Sequence, residues 1–210
     1  MDKYYGISKN CEKEVIIERS RFIASCATVK TEDDAKTFVY TVKKKHSAAA
    51  HNCYAYITEL GKYSKFSDDG EPSGTAGAPI LEAIKSLNLC NTAVVVTRYF
   101  GGIKLGTGGL TRAYGGIAKT ALCDCGIKTY VLSVRCRLKV DYEAYQNFLR
   151  FVRKNGLQVL KTDFFDGITI EFLVEKSMYV MFLDKFNEYF LGRFSVENIG
   201  EYFAEAEGNV

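Results

Sequence analysis

From Arg98 to Gly115 the chain reads RYFGGIKLGTGGLTRAYG, placing six glycines and three cations (Arg98, Lys104 and Arg112) in eighteen positions. A loop of bare backbone N–H groups that runs into a helix binds anions, because the donors converge and the helix dipole favours negative charge. A phosphate or a sugar-phosphate backbone suits this chemistry. The expected contacts are Arg98, Gly101, Gly102, Lys104, Gly106, Thr107, Gly108, Gly109 and Arg112. Two established motifs do not fit. Gly101 to Gly106 has the P-loop gap, but Thr107 stands where its lysine belongs, and the Rossmann G-x-G-x-x-G breaks at Thr111. The competing explanation is steric, with glycines serving tight turns and close helix–sheet packing.

A second polar run, SDDGEPSGTAG at 67–77, carries Asp68, Asp69 and Glu71. Adjacent residues of an extended segment point to opposite sides, so Asp68 and Asp69 do not chelate one ion together. A polar turn is expected, with Ser73 or Thr75 capping the helix near Pro79. The two loops are expected to lie side by side as one groove, with His51 at its rim beside Asp68, Asp69, Glu71, Ser73 and Thr75. Its acids should pair internally with Arg98, Lys104 and Arg112. His46 and His51 lack H-x-x-x-H metal spacing, and no G-x-S-x-G elbow supplies a nucleophile. No catalytic residue, metal or cofactor is therefore assigned. The seven cysteines are odd in number and scattered, and Cys123 and Cys125 form C-x-C. They read as small buried hydrophobes with reduced thiols, which places the protein in the cytoplasm.

The elements that position these loops follow from patterning. Residues 14–29 are rich in β-branched side chains and read as one or two strands. A helix follows over 31–46, with Thr31 as N-cap, acids in its first turn, Lys43, Lys44 and Lys45 in its last, and Ala35, Phe38, Val39 and Val42 on one face. A strand at 51–58, a helix at 79–87 and a buried strand at 92–100 lead to the glycine loop. The next helix runs from about Gly109 to Leu122, its apolar face made by Leu110, Ala113, Tyr114, Ile117, Ala118 and Ala121. Arg112 lies off that face.

From Val131 a strand (131–140), a helix (142–155) closed by Gly156, a hairpin (157–175) turning at Asp166-Gly167, a helix (177–191) ended by Gly192 and a strand (193–206) succeed one another. That is the ferredoxin-like split βαβ order. The fold class is therefore α+β, with a domain over 1–130 holding the glycine loop and a ferredoxin-like domain over 131–210 that serves for binding or docking. Of 210 residues 47% are apolar and 25% charged, an ordinary globular balance. Through Cys136 there are 19 Lys+Arg against 13 Asp+Glu, and beyond it 9 against 12, so an anionic partner should meet the first domain. No window has the apolar length of a membrane span, and no signal peptide is recognisable.

The blocks HNCYAY, SDDGEPSGTAG and VVVTRYFGGIKLGTGGLTRAYG, in that order, resemble the signature of the IMPACT family, the bacterial YigZ-like proteins. The resemblance covers the whole chain. It implies a first domain folded like the second domain of a small-subunit ribosomal protein and like translocase domain IV, a fold shared with small-molecule kinases, and a ferredoxin-like second domain. Eukaryotic members restrain a kinase that silences translation initiation, acting through an N-terminal interaction domain. For bacterial members the resemblance implies a translation-linked, nucleic-acid-binding protein. The leading expectation is a regulator that binds RNA or ribosome-associated partners through the basic glycine-rich groove. An enzyme acting on a phosphorylated small molecule at that groove is the alternative. A protein–protein regulator with a purely structural glycine loop is the third reading.

Overall fold

The structure is a computed structural model that describes residues 2–206. Its elements are β1 (Lys3–Ile7), β2 (Cys11–Ile17), β3 (Ser20–Thr28), α1 (Glu32–Lys45), β4 (His51–Thr58), β5 (Tyr63–Ser67), α2 (Gly77–Ser86), β6 (Thr92–Tyr99), α3 (Gly106–Asp124), β7 (Ile127–Val140), α4 (Tyr142–Asn155), β8 (Gln158–Asp163), β9 (Ile168–Glu175), α5 (Tyr179–Phe190) and β10 (Val196–Glu205). The protein is α+β, and all pairings of its named strands described below are antiparallel. Two compact units divide the chain, Tyr4–Thr129 and the stretch from Tyr130 onward together with the residues before Tyr4.

In the first unit a five-stranded sheet has the order β2-β3-β6-β4-β5. Side chains alternate across it. Val94 and Val96 of β6 face one way, into a core completed by Phe22, Ala24 and Cys26 of β3, Cys53, Ala55 and Ile57 of β4, and the apolar faces of α2 and α3. Ala93 and Val95 face the other way, against α1, through Ala35, Val39 and Val42. Burial on both faces explains why β6 reads as an unbroken apolar run. Thr31 caps α1 as expected: its side chain accepts the Asp34 N–H, and Asp34 accepts the Thr31 N–H. The buried face of α3 is the expected one with Leu122 added, but the helix starts a turn early, at Gly106. The short strands β1 and β5 are missing from the sequence reading. For β5 the burial shows why: it has no residue that is fully buried, so no alternation marks it.

The second unit follows the strand–helix–strand–strand–helix–strand order, with β7 flanked by β10 and β9, and β8 outside β9. Asp141 caps α4 by accepting the Ala144 N–H at 2.7 Å, and Gly156 ends it in the left-handed region. Phe148, Phe151, Phe172, Phe182, Phe186 and Phe190 build its core, with Ala144 and Phe151 buried more deeply than Tyr145 and Leu149.

The cysteine expectation fails at one point. Cys11 and Cys125, 114 residues apart in sequence, are joined by a disulfide. The remaining cysteines are free thiols. Neither partner carries a local sign of the pairing, since β2 and the end of α3 meet only through the tertiary fold. Cysteine usage therefore does not argue for a reducing compartment. Among the described residues, no helix is long and apolar enough to cross a membrane.

Candidate anion-binding loop and the buried network behind it

The loop from Phe100 to Leu105 leaves the end of β6 and enters α3. Gly101 passes so close to the turn between β2 and β3 that an added Cβ would lie 2.0 Å from the Arg19 carbonyl oxygen. Its N–H donates to Ser20 Oγ at 3.2 Å. Gly102 and Gly106 hold φ at +87° and +68°, where a side chain is strained. Half of the glycine cluster thus answers to steric and backbone needs. Gly108 and Gly109 are ordinary helical residues, and with Thr107 they form a first turn without an acid. Leu105, at the N-cap, offers no side-chain oxygen, so no side chain caps this helix.

Lys104 and Arg112 are both exposed beside that turn. An open groove of about 500 Å³ is lined there by Ile17, Glu18, Ile103, Lys104, Leu105, Gly109, Arg112 and Ala113. No ion pair is recorded for Lys104 or Arg112 among the described residues. Arg112 reaches back over the turn, its guanidinium 3.4 Å from where a Gly108 Cβ would stand. The lining acid is Glu18, from the β2–β3 turn, rather than any residue of 67–77.

Arg98 differs from the other two cations. It is only 5% exposed, and this burial removes it from the surface contacts expected of it. Strand alternation explains the burial, because Arg98 shares a face with Val94 and Val96 and so points toward α3. Its Nη1 donates to Glu71 Oε1 at 2.7 Å, its Nη2 lies 3.4 Å from Ser20 Oγ, and its guanidinium sits over the rings of Phe22 and Phe100 at 5.4 Å from each. Tyr114 of α3 donates its hydroxyl to the same Glu71 oxygen at 2.8 Å. Burial, then the neighbouring Cys53, pushes the Tyr114 hydroxyl far up, so it remains a donor. Of the internal ion pairs expected between the acids of 67–77 and Arg98, Lys104 and Arg112, the Glu71–Arg98 pair is the one present among the described residues.

The acidic loop is held in place by its own carboxylates. Asp68 Oδ1 accepts the N–H groups of Ala76 and Gly77 at 3.0 and 2.8 Å, and its Oδ2 accepts that of Gly74 at 2.9 Å. Asp68 therefore caps α2, whose N-cap residue is Ala76, and this corrects the expectation that Ser73 or Thr75 does so. Thr75 instead donates its hydroxyl to the Pro72 carbonyl at 2.7 Å, while Ser73 is exposed. Burial opposes ionisation of Asp68, but the three N–H donors outweigh it and hold the carboxyl below its usual range. Asp69 accepts the Asn52 N–H at 2.7 Å and pairs with Lys43. His51 pairs across the sheet with Arg98 in register. Its Nδ1 lies 2.8 Å from the Asp69 carbonyl oxygen, which can only accept, so the proton sits on Nδ1. Its Nε2 lies 4.0 Å from Glu71 Oε2. Cys53 donates to the Asp68 carbonyl at 2.9 Å, and burial pushes its thiol up to about 12, which removes it as a nucleophile.

Tyr114, Ser20, Cys53 and Lys43 were not assigned to the site from the sequence. Tyr114 carried one usable sign, because a tyrosine inside an apolar helix face needs a partner for its hydroxyl.

An α+β protein with a glycine-rich, cation-flanked strand-to-helix loop, braced from behind by a buried Glu–Arg–Tyr network, is what these residues define. The chain belongs to the IMPACT family: residues 18–122 match the Impact N-terminal domain. It is 39% identical over 177 residues to the IMPACT family member YvyE of Bacillus subtilis, covering 84% of this chain and 82% of that protein. Against the IMPACT family member YigZ of Escherichia coli it is 45% identical over 109 residues, covering 50% of this chain and 53% of that one. A crystal structure described as that of a hypothetical protein superposes with a TM-score of 0.63 at 28% identity, covering 95% of this chain and 98% of that one.

Proposed function

We propose that this protein is a translation-linked regulator that binds phosphates of RNA, or of a ribosome-associated partner, on the first turn of α3. The carrying observation is that turn: uncapped by any side chain, free of acids, and flanked by exposed Lys104 and Arg112. Bare N–H groups at a helix start and two free cations form an anion site, and the excess of cations in the first part of the chain adds long-range attraction. Arg98 and Glu71 act behind the site as a brace. The translation link comes from the family resemblance. The first unit is read as translocase domain IV-like. The strand order β10-β7-β9-β8 supports a ferredoxin-like docking module for the second.

Titration of the full chain with short single-stranded RNA at several salt concentrations tests this reading. Affinity should fall as salt rises, and Lys104→Ala and Arg112→Ala should each lower the salt slope by about one. A folded double variant that binds RNA as the parent does would refute it. The enzyme reading keeps one observation, the imidazole of His51, whose Nδ1 is held by the Asp69 carbonyl and whose Nε2 lies 4.0 Å from Glu71 Oε2. A saturable thermal shift with one sugar phosphate or nucleotide, lost in His51→Ala and absent with RNA, would favour that alternative.

A further inference from the structure

Far along α3 from the glycine loop, three sulfurs converge. Cys11 and Cys26 are direct cross-strand partners in the β2–β3 register, and Cys125 follows the last turn of α3. Their Sγ atoms all lie within 4.8 Å of one another. Cys26 and Cys125 are buried in the apolar core, and Cys11 packs against it. In the oxidised protein two of these sulfurs form the Cys11–Cys125 bond, and Cys26 stands beside it as a free thiol. The bridge alone does not require the third sulfur.

We infer that the reduced protein holds one soft, thiophilic ion at this point, bound by the sulfurs of Cys11, Cys26 and Cys125. Sulfur-only coordination excludes hard cations such as magnesium and calcium. Charge then discriminates among soft ions. Three thiolates carry three negative charges into an apolar core, where net charge is costly. A monovalent ion leaves two of them uncompensated and a divalent ion one, whereas a trivalent ion leaves none. Zinc also takes four ligands in closed sites, and among the described residues no fourth His, Cys, Asp or Glu joins the group. Trivalent arsenic or antimony, which takes three sulfurs in a pyramid, is the matched class. The reaction balances without redox change at the ion: arsenous acid, As(OH)3, exchanges three As–O bonds for three As–S bonds, and the three thiol protons leave with the hydroxides as water. Opening the bridge beforehand takes two electrons, which a trialkylphosphine supplies as it becomes its oxide, with water giving the oxide its oxygen and the two thiols their protons.

The test uses the full chain carrying Cys123→Ser, so that the exposed neighbouring thiol does not compete. Phosphine-reduced protein is mixed with arsenite, desalted and weighed intact, and arsenic X-ray absorption counts the sulfur neighbours. One arsenic per chain with three sulfurs is expected, and none on the unreduced protein. Cys26→Ser should lower arsenic retention at least tenfold and show an oxygen in place of one sulfur. Zinc should be displaced by arsenite. The inference is overturned if unreduced protein or Cys26→Ser keeps arsenic as the parent does, if absorption counts two sulfurs, or if zinc resists displacement. The sulfur count on the parent protein needs no variant, so a misfolded Cys26→Ser leaves the inference open to refutation.

Discussion

Glu71 Oε1 accepts from Arg98 Nη1 at 2.7 Å inside the first unit, and both side chains are almost wholly withdrawn from solvent. One carboxylate thereby ties three elements, the 67–77 loop that carries it, β6 through Arg98, and α3 through Tyr114. A buried ion pair of this kind contributes little over an apolar replacement, but breaking it strands a charge. Glu71→Ala should therefore destabilise the protein by about 3–5 kcal/mol, as read by urea unfolding. Glu71→Leu combined with Arg98→Met should recover most of that loss, because no unpaired charge remains. A Glu71→Ala variant within about 0.5 kcal/mol of the parent, the range of an ordinary surface substitution, would show that the pair braces nothing.

Asp68 performs a capping task that normally falls to the residue at the helix start. Removing its carboxylate in Asp68→Ala frees three N–H groups at once and should cost about 1–2 kcal/mol. Asp68→Asn keeps one acceptor oxygen and should cost less. The pH dependence has a fixed sign. The folded-state carboxyl ionises below its ordinary value of 3.8, so the stability it contributes is complete above that value and is lost as pH falls through the lower folded-state value. The stability gap between the parent and Asp68→Asn should hold steady from neutrality down to about pH 4 and close below it. A gap that instead widened on acidification would contradict the assignment.

Most of the fold was legible because its periodicities are local. The helix faces of α1 and α3, the cap at Thr31 and the end at Gly156 each follow from residues within a turn or two of one another. The β2–β3 turn was not legible. Glu18 and Arg19 both take positive φ there, without the Asn-Gly pair that announces such a hairpin. In the site, Lys104 and Arg112 emerged as the exposed cations the loop suggested. Arg98 was grouped with them, although its even spacing from Val94 and Val96 already put it on a core face. Asp68 caps α2 through a turn inside the 67–77 stretch whose path its residue types do not fix, and the Cys11–Cys125 bond joins residues 114 apart that no short window contains.

The Cys11–Cys125 bond closes a loop of more than a hundred residues. In the chain-entropy account, a loop of that length restricts the unfolded ensemble by about 4.7 kcal/mol. Phosphine reduction should accordingly lower the unfolding free energy of the protein by an amount of that order. A Cys11→Ser, Cys125→Ser variant should match the reduced parent and should not respond to phosphine. Equal midpoints for oxidised and reduced parent would mean that the bond confers no stability.

The second unit should fold without the first. Its core cluster runs from Val134 to Val196 and takes no residue from outside that stretch. Both of its helices bury phenylalanines against its own sheet, and α4 is capped at each end by its own residues, Asp141 and Gly156. The fragment does give up the pairing of β1 with β7 and the hydrogen bond from the Leu132 N–H to the Asp2 carbonyl at 2.7 Å, but each such hydrogen bond contributes only about 1 kcal/mol net. Against that loss stands a core with six buried phenylalanines, each contributing about 1.5–3 kcal/mol on burial. A fragment of residues 130–210 should therefore show a single cooperative urea transition with sharp near-ultraviolet dichroism from its packed rings. Broad, probe-dependent unfolding of the soluble fragment would mean that this core needs the rest of the chain.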